Sequence, residues 1–237
     1  MVEKILERFV QDVQGLYAEE LLAVLLYGSA ASGEHVAGRS DLNVAILLRR
    51  ITPPLLRKAA AHLRTWQRQG LATPMFFDPE FLHASLDVFA IEFLDMQERH
   101  RVLWGADPFA DLAIGRGNLR LQCEQELRGK LLRLRQSYVE SSQTPSELER
   151  ILGVAVSSLV VLARTLLRLG AADPSGGAED VLERVQARFG VSSVSLRRAW
   201  QVKRGEIRMT GAGLESLYQE VLVEVEGLVR TIDALPV

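Results

Sequence analysis

Residues 21–48 read LLAVLLYGSAASGEHVAGRSDLNVAILL, and their pattern decides the fold. Leu21 to Tyr27 is an unbroken apolar run that stops at Gly28-Ser29. A short run of this kind, bounded by glycine, predicts a strand buried on both faces. The stretch from Ala30 to Ser40 holds Gly33 and Gly38 and predicts a loop. Leu42 to Leu48 then predicts a second buried strand. At the end of the first strand a residue without a Cβ lets backbone approach a ligand closely. Backbone N–H groups there, with the Ser29 hydroxyl, suit phosphate oxygens. Asp41 and Asn43 stand two residues apart on the next strand and share a face, a spacing of oxygen donors that suits Mg2+.

Outward from this stretch the pattern remains periodic. Val2 to Tyr17 predicts a helix with Ile5, Phe9, Val13 and Leu16 on one stripe. Pro53-Pro54 opens a helix that runs to about Gln69 and ends at Gly70. Thr73 to Phe77 predicts a third strand and Asp78-Pro79-Glu80 a short helical turn. Asp87 to Leu94 predicts a fourth strand, with Val88, Ala90 and Glu92 on one face and Phe89, Ile91 and Phe93 on the other. Asp95 then caps a helical turn over Met96 to His100.

From Leu119 onward only helices are predicted. They cover Leu119 to Glu140, a stretch opened by a Thr144-Pro145-Ser146-Glu147 capping box and closed at Gly170, Ala178 to Phe189, Val194 to Lys203, and Gly213 to Ile232. The expected architecture is an α/β (α+β) domain with a mixed sheet over residues 1–112, followed by an all-helical bundle over 113–237. The apolar faces of the bundle are broad enough to form a homodimer seam or to seat a protein partner.

Composition bounds the function. Of 237 residues, 48% are hydrophobic and 24% charged, with a formal net charge of −2. That balance argues against a strongly basic nucleic-acid surface. The single Cys123 excludes an internal disulfide and a cysteine-based zinc site, and its helical neighbours Leu127 and Leu131 make it a small core residue. No secretory signal is read at the start, and Ile151 to Ala163 falls short of the ~20 residues that cross a bilayer. A cytoplasmic location without membrane contact is the expectation. His35, His62, His83 and His100 show no metal-ligand spacing and read as surface or boundary residues. The cluster Arg197, Arg198, Lys203, Arg204 and Arg208 reads as a solvated helical face.

The Gly28-Ser29 and Asp41-Leu42-Asn43 pair resembles the nucleotidyltransferase superfamily that includes DNA polymerase beta, the kanamycin nucleotidyltransferases and the small bacterial antitoxin-type enzymes. The family pattern is an apolar strand, Gly-Ser, a loop, and Asp-x-Asp on the next strand, with a third carboxylate on a later strand. Gly28, Ser29 and Asp41 match residue by residue, and Ser40 and Leu42 are typical neighbours. Comparison of VFAIEFLDMQERHRVLWG with the family's later strand selects Glu92 as the third acid, with Asp87 and Asp95 as alternatives. The resemblance covers about residues 1–110, and helical domains are often appended to this fold.

The resemblance implies transfer of a nucleoside monophosphate from a nucleoside triphosphate, ATP or GTP, to a hydroxyl acceptor. Gly28, Ser29 and Ser40 would hold the triphosphate, Asp41, Asn43 and Glu92 would bind Mg2+, and Glu92 would orient or deprotonate the hydroxyl. One departure matters. Where the family has its second aspartate, this chain has Asn43, whose oxygen coordinates a hard cation without bringing negative charge. A missing unit charge costs roughly 4 kcal/mol at 4 Å and an effective dielectric of 20, some orders of magnitude in rate. The alternative is therefore a catalytically degenerate nucleotide-binding protein or an antitoxin-like interaction module.

Overall fold

The computed structural model describes residues 2–31, 41–141 and 144–236. They fall into two compact units, Met1–Ile114 and Gly115–Val237. In the first, helix α1 (Val2–Tyr17) leads through a 3-10 turn into strand β1 (Leu21–Tyr27). Strand β2 (Asn43–Leu48), α2 (Pro53–Arg68), β3 (Met75–Phe77), α3 (Pro79–Ala84), α4 (Ala90–Glu98) and β4 (His100–Gly105) follow. The sheet order is β3-β2-β1-β4. β1 runs antiparallel to both β2 and β4, and β2 runs parallel to β3, so the sheet is mixed. The parallel pair needs a crossover, and α2 supplies it.

Apart from Tyr27 and Asn43 at one end, the two central strands are apolar because both of their faces are covered. On one side Val24, Leu26, Val44, Ile46 and Leu48 pack with Leu6, Phe9 and Val13 of α1 and Trp66 of α2. Trp66 is fully buried; its Nε1 donates to Asp12 Oδ2 at 3.1 Å, and Phe9 meets its ring edge-on. On the other side Ala23, Leu25, Ala45 and Leu47 pack with Phe77, Leu82, Phe93, Met96 and Phe109.

The fourth strand is not where the alternation placed it. Residues 90–98 form α4, and Val88 and Phe89, expected on opposite strand faces, are both exposed. The reason lies in the aromatic spacing. Ala90, Phe93 and Met96 recur at helical intervals and all are buried. Phe93 meets Phe77 and Phe89 edge-on at ring-centre distances of 5.8 and 6.1 Å, and it also packs beside Phe109. A helix brings this set to one face of the sheet; a strand would send every second residue away from it. The fourth strand is the next segment, His100–Gly105, which ends where Gly105 has a φ of +85°.

The second unit comprises α5 (Arg116–Ser141), α6 (Pro145–Leu169), α7 (Ala178–Phe189), α8 (Val194–Arg204) and α9 (Gly211–Ala234). Among the described residues α6 is the one helix long and apolar enough to cross a membrane. Its apolar residues are also those of a bundle's central helix, for it packs against α5, α7, α8 and α9. Thr144 stands at its N-cap, but without the expected capping box: the Thr144 side chain makes no cap bond, and Glu147 pairs with Arg150 at 2.9 Å. Buried Arg164 donates to the carbonyls of Pro174 and Gly176 at 2.6 and 2.9 Å, and so holds the loop between α6 and α7.

Burial pushes the Cys123 thiol and the Tyr218 phenol each up to about 12, from ordinary values of 9.0 and 10.0. Both groups keep their protons in the fold after the unfolded chain has begun to lose them. Their contribution to stability is therefore complete below pH 9 and is lost as pH rises toward 12. The urea midpoint of the second unit should hold between pH 7 and 8.5 and fall steadily above pH 9, with a shallower fall in Cys123→Ala. A midpoint unchanged to pH 11 would contradict this.

Candidate functional site

At the end of β1 the chain leaves Tyr27 and enters a 3-10 turn, Gly28–Ala30. Gly28 takes a φ of +73°, a conformation glycine adopts without penalty. A Cβ there would also lie 3.3 Å from Asn43 Nδ2, so Asn43 packs against the bare Cα. The Gly28 N–H donates to the Arg99 carbonyl at 3.1 Å, tying the turn to the end of α4. That amide serves the fold and is not offered to a phosphate. Gly28→Ala should destabilise the first unit by about 1–2 kcal/mol, the cost of forcing an L-residue into the left-handed region. Urea unfolding measures this, and a loss below a few tenths would show that the turn relaxes.

The Ser29 side chain, Ser40, His35 and Arg39 lie outside the described residues. Asp41 precedes β2 and is exposed. Leu42 between Asp41 and Asn43 is pinned on both sides of its backbone: its N–H donates to the Gly70 carbonyl at 2.8 Å, and its carbonyl accepts from Ala72 N at 3.0 Å. Asn43 opens β2 half-buried and stands directly opposite Tyr27.

Tyr27 stands opposite His100 in the other ladder. Directly opposed residues project to the same face, so Asn43, Tyr27 and His100 form a row across the sheet on the side that α4 covers. Burial pushes the Tyr27 phenol up to about 12, which keeps it neutral and unsuited to act as a base. His100 Nε2 lies 3.0 Å from Asp107 Oδ1, its Nδ1 lies 3.2 Å from the Gln97 carbonyl, and Phe109 meets the ring edge-on. Sequence reading missed this row. The signal available was the run His100-Arg-Val-Leu-Trp-Gly105, an apolar segment stopped by glycine like the first strand.

The expected third acid is not on a strand. Glu92 lies half-buried on α4, between the buried Ile91 and Phe93. Asp95 lies on α4 and pairs with Arg99 at 3.7 Å, while Arg101 of β4 pairs with Glu3 at 2.9 Å. Asp95 therefore does not cap a following turn, while Asp87 is exposed ahead of the helix. Neither strand after β2 carries a carboxylate: β3 is Met-Phe-Phe and β4 is His-Arg-Val-Leu-Trp-Gly. Among the described residues no three His, Cys, Asp or Glu side chains gather as a metal site. The basic cluster of α8 disperses into local pairs, Arg198 with Glu220 and Arg204 with Glu206. Lys203 lies over the Trp200 ring and donates to Ser157 Oγ.

The sequence matches no family model and no curated protein. Twelve chains of solved structure resemble it in fold. One is the spectinomycin adenyltransferase AAD(9) of Enterococcus faecialis, solved with ATP and spectinomycin. The match has a TM-score of 0.61 and covers 98% of this chain and 99% of that one. The fold is a nucleotidyltransferase fold. At 8% identity the likeness is one of fold alone.

Within that fold the donors that remain can be weighed against the metal chemistry. Two bridging Mg2+ ions need shared carboxylates, and the segment entering β2 supplies one, Asp41. A single Mg2+ that arrives with a triphosphate asks for one or two protein oxygens, because phosphate and water fill its other positions. Asp41 and the Asn43 amide oxygen meet the second requirement and not the first.

Proposed function

We propose that this protein is a catalytically degenerate member of the nucleotidyltransferase fold, one that binds a nucleoside triphosphate with a single Mg2+ and does not transfer the nucleotide. The observation that carries the reading is the loss of carboxylates from the strands. Asn43 stands beside Tyr27 where the resemblance calls for an acid, and no strand after β2 supplies another. Asp41, exposed two residues before Asn43, remains to meet the metal.

The transferring alternative needs Glu92 as the group that orients or deprotonates a hydroxyl acceptor. Glu92 is placed by α4, on a different scaffold from the strand the resemblance uses. Calorimetry of the full chain with ATP and with GTP, with and without Mg2+, tests the proposal. Saturable binding that requires Mg2+ is expected. Its absence with both nucleotides would refute nucleotide binding. Mg2+-dependent pyrophosphate release by the wild-type chain would refute degeneracy.

A further inference from the structure

A groove of about 400 Å3 runs between α5 and α6, within the size range of small-molecule sites. It exists because the facing helices are starved of side-chain volume there. Gly129 interrupts the middle of α5, and nothing lies within 4 Å of the point where its Cβ would be. Glycine is the poorest helix former after proline, so its place in a long helix calls for a reason beyond propensity. Across the gap α6 presents Ala155 and Ser158, both small. The floor is apolar, with Leu134 from α5 and Ile151 from α6.

The groove is positive. Lys130, Arg133 and Arg150 line it against a single carboxylate, Glu126. The chain as a whole carries −2, so this is a local reversal of sign. Lys130 and Arg150 already have carboxylate neighbours, Glu126 at 3.2 Å and Glu147 at 2.9 Å. Arg133 has no ion-pair partner among the described residues, and its planar fork suits a carboxylate. A cationic ligand would meet repulsion on both walls, and a neutral apolar one would leave Arg133 unused.

We infer that this groove binds a small amphipathic anion, a short apolar body ending in a carboxylate. The body lies on Leu134 and Ile151, in the space Gly129 leaves open, and the carboxylate meets Arg133 and Arg150. All these residues belong to the helical unit, so the inference stands whether or not the first unit binds nucleotide.

Displacement of the fluorescent probe 8-anilinonaphthalene-1-sulfonate from the full chain tests it, with octanoate and octylamine as competitors. Octanoate should displace the probe and octylamine should fail to. Arg133→Glu combined with Arg150→Glu should weaken octanoate about tenfold, in keeping with the loss of two solvent-facing ion pairs. Gly129→Leu should abolish displacement by filling the groove, with a melting temperature no lower than that of the wild type. Equal displacement by octylamine, no displacement by octanoate, or octanoate binding unchanged in both variants would each overturn the inference.

Discussion

Asp41→Ala should weaken Mg2+-dependent nucleoside triphosphate binding by about 2–3 kcal/mol, roughly 30- to 150-fold. Unit charges 4 Å apart at an effective dielectric of 20 attract by about 4 kcal/mol, and solvent around the exposed Asp41 screens part of that. The effect is large because among the described residues no strand of the sheet carries a carboxylate that could take over. Asn43, the nearest strand donor, lends an amide oxygen without charge and is packed against Gly28. Without Mg2+ neither the wild type nor Asp41→Ala should bind the nucleotide measurably, so the two differ only in the Mg2+ titration. The reciprocal variant, Asn43→Asp, should tighten the Mg2+ complex and still release no pyrophosphate. Equal affinities of the wild type and Asp41→Ala for the Mg2+ complex would place the metal elsewhere.

Glu224→Ala should destabilise the helical unit by about 3–4 kcal/mol, a large share of the ~5–15 kcal/mol that holds a domain together. Glu224 lies on α9 with 6% of its surface exposed. One carboxylate oxygen accepts from Ser195 N at 3.0 Å and Ser192 Oγ at 2.6 Å, and the other accepts from Leu196 N at 2.9 Å. Those two amides belong to the first turn of α8, where a helix leaves its N–H groups without partners. The local N-cap residue, Ser193, does not cover them, because its hydroxyl donates to the Leu182 carbonyl at 2.7 Å. A carboxylate from a neighbouring helix thus caps α8 and sets negative charge against the positive end of its dipole. Alanine would leave both amides buried and unbonded. Glu224→Gln keeps one acceptor oxygen and turns an NH2 toward the other amide, so its loss should be about half as large. Urea unfolding measures both, and a loss below 1 kcal/mol in Glu224→Ala would show that water reaches the helix end.

The legible parts of this fold share a physical cause. Leu21–Tyr27 and the run up to Leu48 are strands with covered faces, and an uninterrupted apolar run between glycine and polar stops admits few other structures in so short a length. The helix beginning at Pro53 declared itself through prolines at its first turn, and α7 through periodicity alone. The segment from Asp87 to Leu94 did not, because a short apolar run carries both periods at once. Phe89, Ile91 and Phe93 alternate, while Ala90, Phe93 and Met96 are helical, and only packing against Phe77 and Phe109 selects between them. The site inherits that ambiguity. Glu92 was expected on a strand because the segment was, and the row of Asn43, Tyr27 and His100 was hidden because β4 was missed. Glu224 was hidden for a different reason: a buried carboxylate among the leucines and valines of α9 makes sense only once the amides of α8 stand beside it.

The most direct measurement is a crystal structure of the chain with a nonhydrolysable nucleoside triphosphate and Mg2+, counting the metal ions beside Asp41, Asn43 and Glu92. One Mg2+, bound between Asp41 and the triphosphate with Glu92 touching neither metal nor nucleotide, is the predicted result. Two Mg2+ ions bridged at Asp41, with Glu92 ligating one of them, would contradict the account and restore the transferase.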